Sequence, residues 1–212
     1  MGARPKLIAS VPLRDASRVA ELEGIEADMI ELRLDYLPSP REVSEDLLQV
    51  LLPFRKRLLL TLRDPHEGGH LPFSDEVKSS FLKAAHEMGF LYDVEVDFLK
   101  RRKDVPSGLV VSKHYLNELP SLHSLKEEFR PYGQYVRKLA VRTVNNYKSL
   151  LISFLEEFPG SAVIPLGADW RERLAFCMLG SSLLYVQVGE PTAPGQMHIK
   201  AAKTLLAQLG WS

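Results

Sequence analysis

Eight apolar runs of strand length alternate with helix-forming stretches, and this order constrains the chain more than any other feature. The runs are "KLIAS" from Lys6, "DMIELRLD" from Asp28, "RLLLTLR" from Arg57, "FLYDVEVD" from Phe90, "LVVSKHY" from Leu109, "VRKLAVRT" from Val136, "SAVIPLG" from Ser161 and "LLYVQV" from Leu183. Between them, Ser39-Pro40 is a cap and first-turn proline for "REVSEDLLQVLL", and Ser74 caps "DEVKSSFLKAAHEM", which stops at Gly89. Three further helices, "NYKSLLISFLEEF", "DWRERLAFCML" and "MHIKAAKTLLAQL", end at Pro159-Gly160, Gly180 and Gly210. Weaker helical stretches are "ASRVAELEG" and "LHSLKEEF", and "FLKRRKD" leaves room for a short one only. Strands that alternate with helices pair in parallel through right-handed crossovers, and eight is the number that closes a barrel. No Pro/Gly/Ser-rich linker interrupts the pattern, so residues 1–212 are expected to form a single α/β domain, a (β/α)8 TIM barrel. An open doubly wound sheet would carry a glycine-rich loop after its first strand, and "IASVPLRDA" has no glycine.

Side chains alternate across a strand, so each run assigns one face to the helices and one to the interior. The predicted interior face collects Glu31, Arg33 and Asp35 from the second run and Thr61 and Arg63 from the third. It adds Asp93, Glu95 and Asp97 from the fourth, Ser112 and His114 from the fifth, Lys138 and Arg142 from the sixth, and Tyr185 and Gln187 from the eighth. A barrel interior is ordinarily filled with branched apolar residues. Parallel sheets are covered on both faces, which argues against reading these positions as solvent-facing. Charges buried together are costly unless paired, and active sites are where that cost is tolerated.

Lys138 is the least ordinary of them. Desolvated and near arginines, its amine would have a depressed pKa and could attack a ketone or aldehyde. The iminium so formed acidifies the adjacent carbon, and His114 on the neighbouring strand has the intrinsic range of a base. Glu67 or Glu31 could orient that imidazole. The plainer alternative is that Lys138 pairs with Glu95 or Asp93.

Other features are assigned no chemistry. "HEGGH", His66 to His70, has zinc-protease spacing, but it follows Pro65 and holds two glycines, so a loop is predicted and no metal. His66 and His70 are then loop residues. Cys177, the only cysteine, lies among apolar residues, and a chain with one thiol suits a reducing compartment. Lysine plus arginine and aspartate plus glutamate both number 27, so the basic excess of a nucleic-acid binder is missing. "KRRKD" from Lys100 reads as a solvated helix end. No run crosses a membrane and no secretory signal is seen, so a soluble cytoplasmic protein is expected.

In order along the chain, seven motifs resemble the type I 3-dehydroquinate dehydratases, a family of class I aldolase-like barrels. They are "ELRLD" from Glu31, "RDPHEGG" from Arg63, "DVEV" from Asp93, "SKH" ending at His114, "KLAV" from Lys138, "RL" at Arg173 and "TAPGQ" from Thr192. The resemblance implies that Lys138 forms a Schiff base with the substrate ketone. It implies that His114 moves protons and that Glu67 holds His114. Arg173 would clamp a carboxylate, and Thr192 and Gln196 would sit on a loop over the substrate. Glu31, Arg33 and Arg63 would hold ring hydroxyls and the surroundings of the lysine, with Ser10 a further contact. The implied reaction converts 3-dehydroquinate to 3-dehydroshikimate on the way to aromatic amino acids, with no cofactor; relatives suggest a homodimer.

The chain departs from the family pattern in starting almost directly on the first strand, without an N-terminal hairpin. It also has Tyr115 after the histidine, Thr192 where serine is commoner, "PLG" without methionines on the seventh strand and a short fourth helix. The alternatives are another Schiff-base barrel, such as a class I aldolase, and a barrel retained as a binding module.

Overall fold

The computed structural model describes residues 3–211. Eight parallel strands run β1 Lys6–Pro12, β2 Met29–Arg33, β3 Leu58–Thr61, β4 Leu91–Glu95, β5 Val110–Tyr115, β6 Val136–Arg142, β7 Ala162–Leu166 and β8 Leu183–Gln187. The helices are α1 Glu45–Leu51, α2 Asp75–Glu87, α3 Val96–Arg101, α4 Leu122–Phe129, α5 Tyr147–Glu157, α6 Trp170–Met178 and α7 Ile199–Gln208. A 3₁₀ helix, Ala16–Gly24, fills the crossover after β1. Seven of the eight predicted runs contain their strand, β1 extends two residues past its run to Pro12, and the sheet order β7-β6-β5-β4-β3-β2-β1-β8 is that of a (β/α) barrel.

Four details differ from expectation. The first main helix starts after Ser44, whose hydroxyl accepts from the Leu47 N–H, while Ser39 caps only a 3₁₀ turn, Pro40–Glu42. Val43 stands between them in a non-helical conformation, so two capping serines divide what the pattern joined. Val96 and Asp97 belong to α3, which puts Asp97 at the surface against Lys113 rather than in the interior. Met197 and His198 form β9, a two-residue strand beside β8, instead of opening α7; the His198 side chain caps that helix.

The fourth difference is the seam. No ladder joins β7 to β8. Pro165 takes one N–H donor out of β7. The gap is bridged by the Ser182 N–H donating to the Ser161 carbonyl at 2.8 Å and the Val163 N–H donating to Ser181 Oγ at 3.0 Å.

The two faces sort as alternation predicts. Ile30, Leu32, Leu58, Leu60, Tyr92, Val94, Val111, Leu139 and Val141 pack outward against Phe81, Leu82, Leu125, Phe129 and Phe154 of the helices. The lower interior is apolar, with Ile8, Met29, Leu59, Val110, Ala162 and Leu183. The upper interior, toward the C-terminal strand ends, is polar. There Ser10 stands level with Glu31, Thr61 with Asp93, and Ser112 with both Glu95 and Lys138. Polar side chains are thus confined to the end of the barrel where active sites form.

Candidate active site

A cavity of about 390 Å³ opens at that polar end. Lys138, His114, Glu67, Glu31, Arg33, Arg63, Arg173, Thr192 and Gln196 all line it. Ser10 lies just behind the wall, donating to Glu31 Oε2 and accepting from Thr192 Oγ1 at 2.7 Å.

Lys138 is buried. Its Nζ is 2.8 Å from Asp93 Oδ2 and 3.6 Å from Glu31 Oε1, and it lies 4.4 Å from the centre of the Tyr185 ring. Expectation put arginines beside this amine. The structure puts carboxylates there and ties each arginine to partners of its own. Arg63 meets Asp93 at 2.8 Å, Glu95 at 3.1 Å and Ser112 Oγ at 2.8 Å, and Arg33 makes a two-pronged pair with Asp35 at 2.7 Å. Burial alone would lower the Arg63 guanidinium, but Asp93 and Glu95 outweigh it and push it up. Burial would raise Asp93, yet Arg63 and Lys138 hold it well below the usual carboxylate range.

His114 sits one pair further along β5, level with Ala140. Glu67 Oε2 accepts its backbone N–H at 2.9 Å and lies 2.8 Å from its Nδ1. Burial, with Arg63 and Lys138 nearby, moves the imidazole well below its ordinary range. Burial and then Glu95 push Glu67 up to about 8. With Glu67 ionised, Oε2 accepts the Nδ1–H and Nε2 is left unprotonated toward the cavity; with Glu67 protonated, Oε2 donates to Nδ1 and Nε2 carries the hydrogen. Glu67 owes its place to the "HEGGH" segment, a 3₁₀ turn (Pro65–Glu67) followed by Gly68 at φ +88°. At Gly69 a Cβ would stand 1.9 Å from the Arg63 carbonyl oxygen. A turn of this kind does not give the two histidines a shared helix face, so the zinc-protease reading of the motif fails on geometry.

Arg173, at the start of α6, is 5% exposed, and no carboxylate among the described residues lies within ion-pair distance of it. One Nη donates to the Pro194 carbonyl at 2.7 Å, Nε has no partner, and burial lowers the group to about 10. A buried guanidinium left unpaired at a cavity wall is a site for an anion, and its planar fork suits a carboxylate.

The loop carrying Thr192 and Gln196 closes over this end. Gln196 Oε1 accepts from the N–H of Thr192 at 2.9 Å and of Ala193 at 3.2 Å, so Gln196 braces the loop from within. Gly195, at φ +78°, passes so close to Ala168 that a Cβ would meet its carbonyl oxygen at 1.9 Å.

Sequence reasoning offered Asp93 or Glu95 as a partner of Lys138, and Asp93 is the one that meets it; it put Tyr185 inward without a task and did not single out Lys78, Ser112 or Asp35 as site residues. Lys78 was readable: on α2 it shares a stripe with Phe81, Leu82 and Ala85 at helical spacing, all buried. Cys177 packs in the α6–α7 core with its thiol pushed up to about 12 by burial, which marks it as inert. Most of the "KRRKD" cluster faces surface carboxylates.

Fold and site define a class: a parallel (β/α) barrel whose open end holds a buried amine, a carboxylate-braced imidazole and an unpaired guanidinium. Residues 7–156 match the family described as type I 3-dehydroquinase. The chain is 41% identical over 207 residues to the 3-dehydroquinate dehydratase of Metallosphaera sedula, covering 96% of this chain and 97% of that one. It is 39% identical to that of Saccharolobus solfataricus, with 93% and 91% covered. Among solved structures, the Aquifex aeolicus 3-dehydroquinate dehydratase superposes with a TM-score of 0.69 at 25% identity, covering 95% of this chain and 98% of that one. The chain belongs to the type I 3-dehydroquinase family.

Proposed function

We propose that this chain is a 3-dehydroquinate dehydratase, a lyase of the shikimate pathway that works through a Schiff base on Lys138. The observation that carries the reading is the convergence of the Lys138 amine, the Glu67-braced His114 and the unpaired Arg173 on one cavity.

Arg173 holds the substrate carboxylate and so sets the ketone against Lys138. The neutral amine adds to the carbonyl carbon, and the carbinolamine loses water to give the iminium. His114 Nε2 then takes a proton from the adjacent methylene, and the electron pair moves into the enamine. The enamine expels the β-hydroxyl, to which the His114 proton is returned, so that water leaves. Hydrolysis of the remaining iminium frees Lys138 and 3-dehydroshikimate. Asp93 and Glu31 flank the position where the iminium cation forms, which suits its charge. Arg63, with one Nη bonded to Glu95 and Ser112 and the other 2.8 Å from Asp93, acts on the surroundings of the lysine rather than on substrate hydroxyls. Thr192, Gln196 and Ser10 brace the covering loop.

The unbroken strand order supports one catalytic domain, and a lone buried thiol suits the cytoplasm. Assay of purified protein with 3-dehydroquinate, following the absorbance of the conjugated product, tests the reading. Turnover of dehydroquinate and none of sugar-phosphate aldehydes is expected; the opposite preference would assign the site to an aldolase.

A further inference from the structure

Lys78 lies outside the barrel on α2, yet its ammonium reaches the C-terminal ends of β3 and β4. It donates to the Leu62 carbonyl at 2.7 Å and to Glu95 Oε2, and lies 4.8 Å from the Phe98 ring centre. Glu95 passes the contact to Arg63, Arg63 to Asp93, and Asp93 to Lys138. Every side chain along this line, Glu31 included, is at most 5% exposed. We propose that Lys78 is a positioning residue that sets the charge balance around the reactive amine.

The charges decide what it does. Leaving Lys138 aside, two buried cations, Lys78 and Arg63, stand among three carboxylates, Glu95, Asp93 and Glu31. The fixed shell therefore carries one net negative charge, which matches a single positive charge at Lys138. That charge is supplied by the resting ammonium and again by the iminium. Without Lys78 the shell carries two negative charges and holds the proton on Lys138 more tightly, so the neutral amine is scarcer. The other groups around the cluster do not offset this: Tyr185 on β8 stays neutral because burial pushes its phenol up, His114 on β5 stays neutral for the reasons above, Arg33 on β2 is matched by its pair Asp35, and Glu67, 3.9 Å from Arg63, is unchanged in every variant below. Around Lys78, Asp75 on its own helix is a further charge, and it pairs with Arg101.

The inference rests on the Schiff-base reading, and two readouts separate them. Ammonium and iminium carry the same charge, so the amount of borohydride-trapped adduct at equilibrium does not depend on Lys78 and tests the reading itself. The rate of adduct formation in the first turnover depends on the neutral amine and tests Lys78. In Lys78→Met, the pH at which that rate is half-maximal should move up by roughly one unit. In Glu95→Gln, which leaves the shell uncharged, it should move down by about as much. The double variant Lys78→Met/Glu95→Gln restores the net charge and should return the midpoint to the wild-type value. A merely structural Lys78 would lower the rate at all pH values without this pattern of signs. Midpoints that stay put, or that move in one direction in both single variants, would overturn the proposal. If Lys78→Met does not fold, Glu95→Gln alone still carries a signed outcome. Absence of trapped adduct in the wild type would instead overturn the Schiff-base reading.

Discussion

The imidazole of His114 depends on Glu67 twice, through Nδ1 and through the backbone N–H. Replacing Glu67 with alanine frees the ring and removes the acceptor that fixes its tautomer, so kcat should fall about 10²-fold or more with KM little changed. Glu67→Gln keeps an acceptor oxygen for both N–H groups and should retain more activity than Glu67→Ala; equal losses in steady-state kinetics would assign the role to charge, not orientation. At this scale the sequence was informative where a residue type conflicts with its place. A lysine and a histidine on strand faces that should be apolar point to chemistry without any coordinates. It was less informative about partners: alternation put Asp93, Glu95 and Glu31 inward but did not say which of them touches Lys138. That choice depends on strand register, which a single sequence does not state.

Among the elements, the covering loop is set by a backbone constraint more than by its side chains. Gly195 combines φ +78° with a path against Ala168 that admits no Cβ. Gly195→Ala should therefore displace the loop and loosen the Pro194 contact to Arg173. Such strain is on the order of 1–3 kcal/mol, so kcat/KM should drop about 10- to 100-fold while the melting temperature changes little. Loss of melting temperature with unchanged kinetics would show that the loop braces the fold instead. Helix ends were readable only in part. Ser74 and Gly89 bound α2 as predicted, but Ser39 and Ser44 are both good caps, and only packing shows that Ser44 starts α1. Ser44→Ala should cost about 1 kcal/mol in a denaturant titration, and Ser39→Ala less.

For the molecule as a whole, the buried charges make stability depend on pH in a direction that can be worked out. Unfolded, the His114–Glu67 pair holds one titratable proton, on the histidine, between about pH 4.5 and 6.5 and none above it. Folded, it keeps one proton until about pH 8, where Glu67 releases it. The two states bind equally between about pH 4.5 and 6.5, and from there to about pH 8 the folded state binds one more, so stability should fall as pH rises through that window. The loss is on the order of 1–2 kcal/mol, and it should vanish in Glu67→Gln when both proteins are melted across the range. A wild-type slope no steeper than that of the variant would contradict the raised Glu67 carboxyl. Fold class was legible because eight alternating runs leave few topologies. The open ladder between β7 and β8 was not, since its closure depends on Ser161, Ser181 and Ser182 meeting in space. The central claim reduces to a single nitrogen. Borohydride reduction in the presence of 3-dehydroquinate, followed by digestion and mass analysis, should place the whole adduct on the peptide containing Lys138 and leave none in Lys138→Ala. An adduct on another lysine, or full turnover by Lys138→Ala, would contradict the account.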